Sequence, residues 1–312
     1  MREHFVIGSR GSKLALWQAE WVKSQLAALQ PQSVVRIEII KTTGDVMRNA
    51  PLSVIGGKGV FTKEIEEALL NRRIDMAVHS LKDLPTVLPD GLVITAITER
   101  EDAHDALVLR DGLSGDKPSV KGLPEGAVVG TSSPRRLAQL KHLRQNIVVK
   151  ELRGNVDTRL RKLDAGEYDA IILAAAGLRR LNQGHRISAL IPVEEMLPAV
   201  GQGALGVETR ADDDEIMALV QPLDDPATRA ACTAERSLLR ALGGGCQVPI
   251  AAHAVVTENS LRLDALVAAL SGNAIIRDRV EGRIGDAVLL GRNLAQRLRA
   301  RGVGSLLSGF HV

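Results

Sequence analysis

The run Gly243-Gly244-Gly245-Cys246-Gln247-Val248-Pro249-Ile250 sets a thiol on a loop with almost no side-chain bulk beside it, directly after a helical stretch. Reactive cysteines need access and a raised thiolate fraction. Three glycines supply access, so Cys246 reads as an attachment point; the competing reading is a turn behind Gly243, a fitting helix C-cap. Cys232, inside the helical stretch, reads as a small core residue. A second candidate lies in His79-Ser80-Leu81-Lys82-Asp83-Leu84-Pro85, which follows a short apolar strand. Asp83, beside Lys82, could hold and relay protons on a cationic substrate, because an opposite charge favours the ionised carboxylate. Its bland alternative is an N-cap or turn aspartate before Pro85. His79, ending the strand, reads as a satisfied core histidine.

Arginines recur where strands give way to helices: Arg10, Arg135 and Arg136 behind Ser132 and Ser133, Arg153, and Arg159 in the next helix. Ligands of open α/β sheets bind beyond the carboxyl ends of strands, where helix N-termini add N–H donors. Guanidinium groups there bind carboxylate or phosphate, each charged hydrogen bond being worth about 1.5–3 kcal/mol. Gly56-Gly57-Lys58-Gly59 lacks the spacing of a nucleotide phosphate loop, which excludes that reading and leaves Lys58 as a charge carried on a loop.

Charge supports a small polyanionic ligand. Between Thr131 and Leu190 twelve Lys/Arg stand against five Asp/Glu, within a chain of net charge +3. Tyr168 is the one aromatic residue in that segment, too few for base stacking, which argues against a nucleic-acid partner. Two cysteines are too few for a zinc cluster and, in a reducing compartment, argue against a disulfide framework. The N-terminal residues lack the apolar core of a signal peptide and no later stretch of about 18 apolar residues could span a bilayer, so the expectation is a cytoplasmic protein without a metal.

The elements that must position these residues alternate between strand and helix over the first two-thirds of the 312 residues, predicting α/β units with parallel sheets. Strands are expected at 6–9, 34–40, 76–79 and 92–97, with helices over 13–29 and 61–70. Residues 42–59, with four glycines and little periodicity, read as a lid or a disordered loop. A second unit begins near Val128, with Ser133 as N-cap and Pro134 as first helical residue. It continues with strands at 147–152 and 170–173, helices over 156–163 and from Ala175, and then a strand at 204–208. Beyond Asp225-Pro226 the pattern changes to a helix ending at Leu242, three strands and a helix to Arg301, an α+β arrangement suited to a separate small domain.

Taken together, His79 to Pro85, Val129-Gly130-Thr131-Ser132-Ser133 with Arg135-Arg136, Leu152 to Val156 with Thr158-Arg159, Leu197 to Ala204 and Gly244 to Pro249 resemble the porphobilinogen deaminase family, in family order. The resemblance implies two type II periplasmic-binding-protein-like lobes plus a small α+β C-terminal domain. Domain 1 would take 1–103 and 201–221, domain 2 would take 104–200 and domain 3 would take 222–312. It implies a cytoplasmic monomer that condenses four porphobilinogen molecules head to tail on a dipyrromethane primer, releases ammonia each time, and finally frees hydroxymethylbilane. Cys246 would carry the primer through a thioether, Asp83 would be catalytic, and Lys82, Asp83, Thr131, Ser132, Ser133, Arg135, Arg136 and Arg153 would hold the primer. Arg10, Lys58, Ser80, Arg153, Arg159, Arg180 and Gln202 would bind substrate. Two departures stand out: Val54 where some members have a second loop lysine, and Glu101-Asp102-Ala103-His104-Asp105 where the family pattern has proline and arginine at its centre. A non-catalytic anion sensor on the same fold is the main rival, and it gives Cys246 and Asp83 no role.

Overall fold

The computed structural model describes residues 3–46, 59–113, 117–245 and 248–307. Two compact units emerge, Met1–Glu101 with Ala204–Arg229, and Asp102–Gly203 with Ala230–Val312. The first is built on a five-stranded sheet ordered β2-β1-β3-β10-β4, from β1 (His4–Ser9), β2 (Val34–Ile39), β3 (Met76–Ser80), β4 (Leu92–Ile97) and β10 (Leu205–Arg210). Strand β1 runs parallel to β2 and β3, and β10 lies antiparallel between β3 and β4. Because successive strand residues face opposite ways, Phe5, Ile7, Met76 and Val78 pack under helix Lys13–Leu29, while Ala77 and Ile74 meet Ile65 and Leu69 of helix Lys63–Leu70 on the other face. Ser12 caps the first of these helices, its Oγ accepting from the Ala15 amide at 3.2 Å.

The second unit repeats the plan. Its sheet is ordered β7-β6-β8-β5-β9, from β5 (Asp105–Leu109), β6 (Val128–Gly130), β7 (Val148–Lys150), β8 (Ala170–Ala174) and β9 (Ala189–Ile191), again with one strand, β5, antiparallel to its neighbours. In each sheet the antiparallel strand is the one that follows a passage of the chain from the other unit. Strands β5 and β9 carry no expectation above. Every residue of β5 is buried, so its run lacks the period-2 alternation that marks a half-buried strand.

The same unit contains an antiparallel sheet of β11 (Ile250–Thr257), β12 (Ser260–Ala268) and β13 (Ile275–Arg283), closed by helices Pro226–Ala241 and Ala287–Ala300 over a core of Leu238, Leu263 and Leu294. Ala138 and Leu197 pack against Ala251, Leu266 and Ala268, so helix Pro134–Leu143 and this small sheet share a core. Gly272, at φ +74°, lies against that helix: an added Cβ would stand 2.6 Å from the His142 backbone nitrogen. Gly272→Ala is expected to cost at least about 1–2 kcal/mol, the penalty for an L-residue in the left-handed region. A melting temperature within error of wild type would refute this.

Candidate active site

In the first unit, Ser80 ends β3 and the turn Leu81–Asp83 follows immediately as a short 3-10 helix. Asp83 is thereby lifted off the sheet, exposed, and without a hydrogen bond or ion pair among the described residues. Arg10, Gln18, Phe61, His79, Ser80 and Asp83 border one cavity of about 70 Å³. Arg10 is held in place by Asp45, with Nη2–Oδ1 at 2.7 Å and Nε–Oδ2 at 3.2 Å, and its guanidinium lies 4.2 Å from the Phe61 ring centroid. Burial works to raise the pKa of Asp45, but the hydrogen bond and charge of Arg10 outweigh it and hold the carboxyl below its usual range. The Gln18 amide donates to Ser80 Oγ at 2.8 Å. His79 is buried with Nε2 3.0 Å from Glu208 Oε2, as expected of a satisfied core histidine.

In the second unit, β6 leads through Thr131 and Ser132 to Ser133, which caps helix Pro134–Leu143 with Pro134 in its first turn. Thr131 Oγ1 accepts from the Ser133 amide, and Ser132 Oγ donates to the Leu152 carbonyl, tying this turn to the end of the neighbouring strand. Arg135 and Arg136 do not project into open space. They are 4% and 6% exposed and clasp fully buried Asp105, Arg135 Nη1 at 2.7 Å from Oδ2 and Arg136 Nη2 at 2.7 Å from Oδ1. Asp105 is driven well below the usual carboxylate range, because the charges of the two arginines outweigh burial. Arg135 Nε, also buried, has no acceptor among the described residues.

Gln202 joins this bracket. It is fully buried, and its amide nitrogen donates to the Ala103 carbonyl at 2.7 Å and to Asp105 Oδ1 at 2.9 Å, so its placement is inside the frame rather than on an open surface. Arg153 pairs with Glu151, Arg159 Nε donates to the Gly154 carbonyl at 2.8 Å, and buried Arg180 donates to the Gly203 carbonyl at 2.6 Å. Lys82 is half-buried beside Asp83. Cys246, Lys58 and Val54 lie outside the described residues. Cys232 is fully buried in helix Pro226–Ala241.

Sequence reading passed over Gln18, Asp45 and the bracketing role of Asp105. Gln18 had a signal, since it falls in register with buried Val22 and Leu26, where a polar residue on an apolar stripe calls for a partner. Asp45 and Asp105 carried none for their charge pairing: their arginine partners lie 35 and 30 or more residues away.

Residues 5–218 match the family model described as porphobilinogen deaminase, dipyromethane cofactor binding domain, and residues 229–300 match porphobilinogen deaminase, C-terminal domain. The porphobilinogen deaminase of Synechococcus elongatus is 50% identical over 301 residues, covering 96% of this chain and 93% of its own. That of Syntrophotalea carbinolica is 49% identical over 306 residues, covering 98% and 96%. Among solved structures, a substrate binding domain of a putative amino acid ABC transporter from Streptococcus pneumoniae aligns with TM-score 0.45 at 14% identity, over 77% of this chain and 94% of that one.

Proposed function

Because the chain belongs to the porphobilinogen deaminase family, we propose that Asp83 is the catalytic carboxylate of its condensation and that Cys246 carries its dipyrromethane. The protein is a transferase of tetrapyrrole biosynthesis, a hydroxymethylbilane synthase acting on porphobilinogen, with a dipyrromethane cofactor. The observation that carries the Asp83 assignment is its exposed carboxylate, unpartnered among the described residues, in a cavity that also holds Arg10 and Ser80. A fixed anion there stabilises positive charge on pyrrole nitrogens and exchanges protons with them.

The donor set suits a polycarboxylate carrying N–H groups. Arg135 Nε–H is buried without an acceptor, and Asp83 has no donor among the described residues. Bound through Cys246, the dipyrromethane supplies a fixed pyrrole carbon for condensation, and tethering of that kind can contribute about 7–11 kcal/mol through orientation. Lys82, Thr131, Ser132, Ser133 and Arg153 would hold its acetate and propionate arms, with Arg135 and Arg136 acting from within the Asp105 bracket. Arg10, Lys58, Ser80, Arg153, Arg159 and Arg180 would take the arms of incoming substrate, and Gln202 would serve by fixing Asp105. The three-domain division at about 103/104, 200/201 and 221/222 belongs to the same reading, as does a cytoplasmic monomer without a nucleic-acid partner.

Intact mass and a pyrrole-reactive colour test examine the anchor. Holoenzyme is expected to show the dipyrromethane adduct on Cys246, and Cys246→Ser to lack any stable adduct after incubation with porphobilinogen. An adduct mapped to Cys232, or an unmodified and colourless wild type after the same incubation, would overturn the assignment.

A further inference from the structure

Three titratable groups unused in these roles meet on one face of the first sheet: Glu66 on helix Lys63–Leu70, His79 on β3 and Glu208 on β10. Glu66 and His79 are 7% exposed and Glu208 is 0% exposed. His79 pairs in register with Gly206, two residues before Glu208, so His79 and Glu208 point to the same side. The β10–β3 register runs without interruption through these positions, with Glu208 opposite Ala77, which fixes the two side chains on one face. His79 Nε2 lies 3.0 Å from Glu208 Oε2, while Glu208 Oε1 and Glu66 Oε1 are both buried with no partner within hydrogen-bonding geometry among the described residues. The strand on the other side of β10 places Ile94 opposite Glu208 and offers no countercharge.

Two buried carboxyl groups thus share one imidazole, an arrangement in which uncompensated charge is strongly disfavoured. Burial pushes the pKa of Glu66 up, opposed by the neighbouring Thr62 hydroxyl and by His79 and reinforced by the charge of Glu208. Among the described residues the nearby cations are engaged by other carboxylates: Arg10, at the cavity, pairs with Asp45, and buried Arg210, two residues beyond Glu208 on β10, pairs with Asp213 and donates to the Leu69 and Ile74 carbonyls, while Glu67 adds a further negative charge from the helix of Glu66. His79, Thr62 and Ile65 border the cavity that Asp83 enters, so the cluster adjoins the site from β3 and from the helix that bears Glu66.

We propose that Glu66, His79 and Glu208 form a proton store behind Asp83, filled and emptied through His79 during condensation. The inference rests on Asp83 acting in the chemistry. Substrate amine enters as ammonium. Its C–N bond breaks with the electron pair leaving on nitrogen as ammonia, a C–C bond forms from the attacking pyrrole carbon, and the hydrogen on that carbon departs as a proton. The store holds that proton until ammonia takes it and leaves as ammonium, which returns the cluster to its starting state. None of the three residues touches substrate in this scheme; they act on the site through its proton supply, as positioning residues.

Infrared difference spectra of wild-type and Glu66→Gln holoenzyme at neutral pH test the store without reference to turnover. Wild type is expected to show the carbonyl band of a protonated carboxylic acid, and Glu66→Gln to lack it. In single-turnover condensation across pH, Glu66→Gln and Glu208→Gln are expected to be at least about tenfold slower at the wild-type optimum, with one limb of the profile displaced by about one pH unit. A missing band in wild type, or variant profiles parallel to wild type, would overturn the store whatever Asp83 does. Should Glu208→Gln not fold, wild type and Glu66→Gln decide the matter. Asp83→Asn is expected to keep the band; if it also kept full turnover, the Asp83 assignment would fall separately and take this role with it.

Discussion

Asp83→Asn is expected to lower turnover by about 10²–10⁴-fold, the range contributed by a positioned acid–base group. The substitution keeps size and shape and removes the charge and the proton-exchanging oxygen. Asp83 is exposed and makes no hydrogen bond or ion pair among the described residues, so little of the fold depends on its carboxylate. Stability should therefore stay within about 0.5 kcal/mol of wild type, as for surface substitutions generally. The adduct on Cys246 should remain detectable by mass. Turnover close to wild type in the presence of an intact adduct would remove Asp83 from the mechanism.

The largest effect on stability is expected at Asp105. Asp105→Ala leaves Arg135 and Arg136 side by side, buried, with no shared counterion, and takes an acceptor from Gln202. Removing one partner of a buried ion pair costs about 3–5 kcal/mol, far more than loss of a surface bridge. Chemical denaturation would show this as a lower midpoint with little change in slope. The sign of the pH dependence follows from the depressed native pKa of Asp105. Its contribution is fully present above the unfolded carboxyl value of about 3.9 and is lost as pH falls through the lower native value. The stability gap between wild type and Asp105→Ala is therefore expected to be constant from about pH 5 upward and to shrink in stronger acid. A gap that widened on acidification would contradict the bracket.

Much of the local structure was legible because its causes are local. Ser133-Pro134 marks a helix start, and both residues take the expected places. Apolar periodicity marked the helix over 13–29, observed as Lys13–Leu29. Strand β5 escaped because a fully buried strand loses the alternation that identifies it. The short turn Leu81–Asp83, which lifts the carboxylate out of the sheet, likewise follows from packing of Leu81 beneath it, with Leu81 1% exposed.

The family was legible in residue types and their spacing: a cysteine behind glycines, an aspartate at a strand end, and arginines at successive junctions. As an ordered set of motifs they identify the family, because each motif lies within a few consecutive residues. Tertiary structure alone decided which charges are spent on one another. Arg135 and Arg136 read as two open cation sites until Asp105, 30 and 31 residues earlier, proved to neutralise one of them inside the fold. His79 acquires Glu208 across 129 residues, and Arg10 acquires Asp45 across 35. Periodicity and capping report what a residue does to its own segment, whereas the partner of a buried charge is set by where the sheets bring distant segments together, and that distance has no trace in the local pattern.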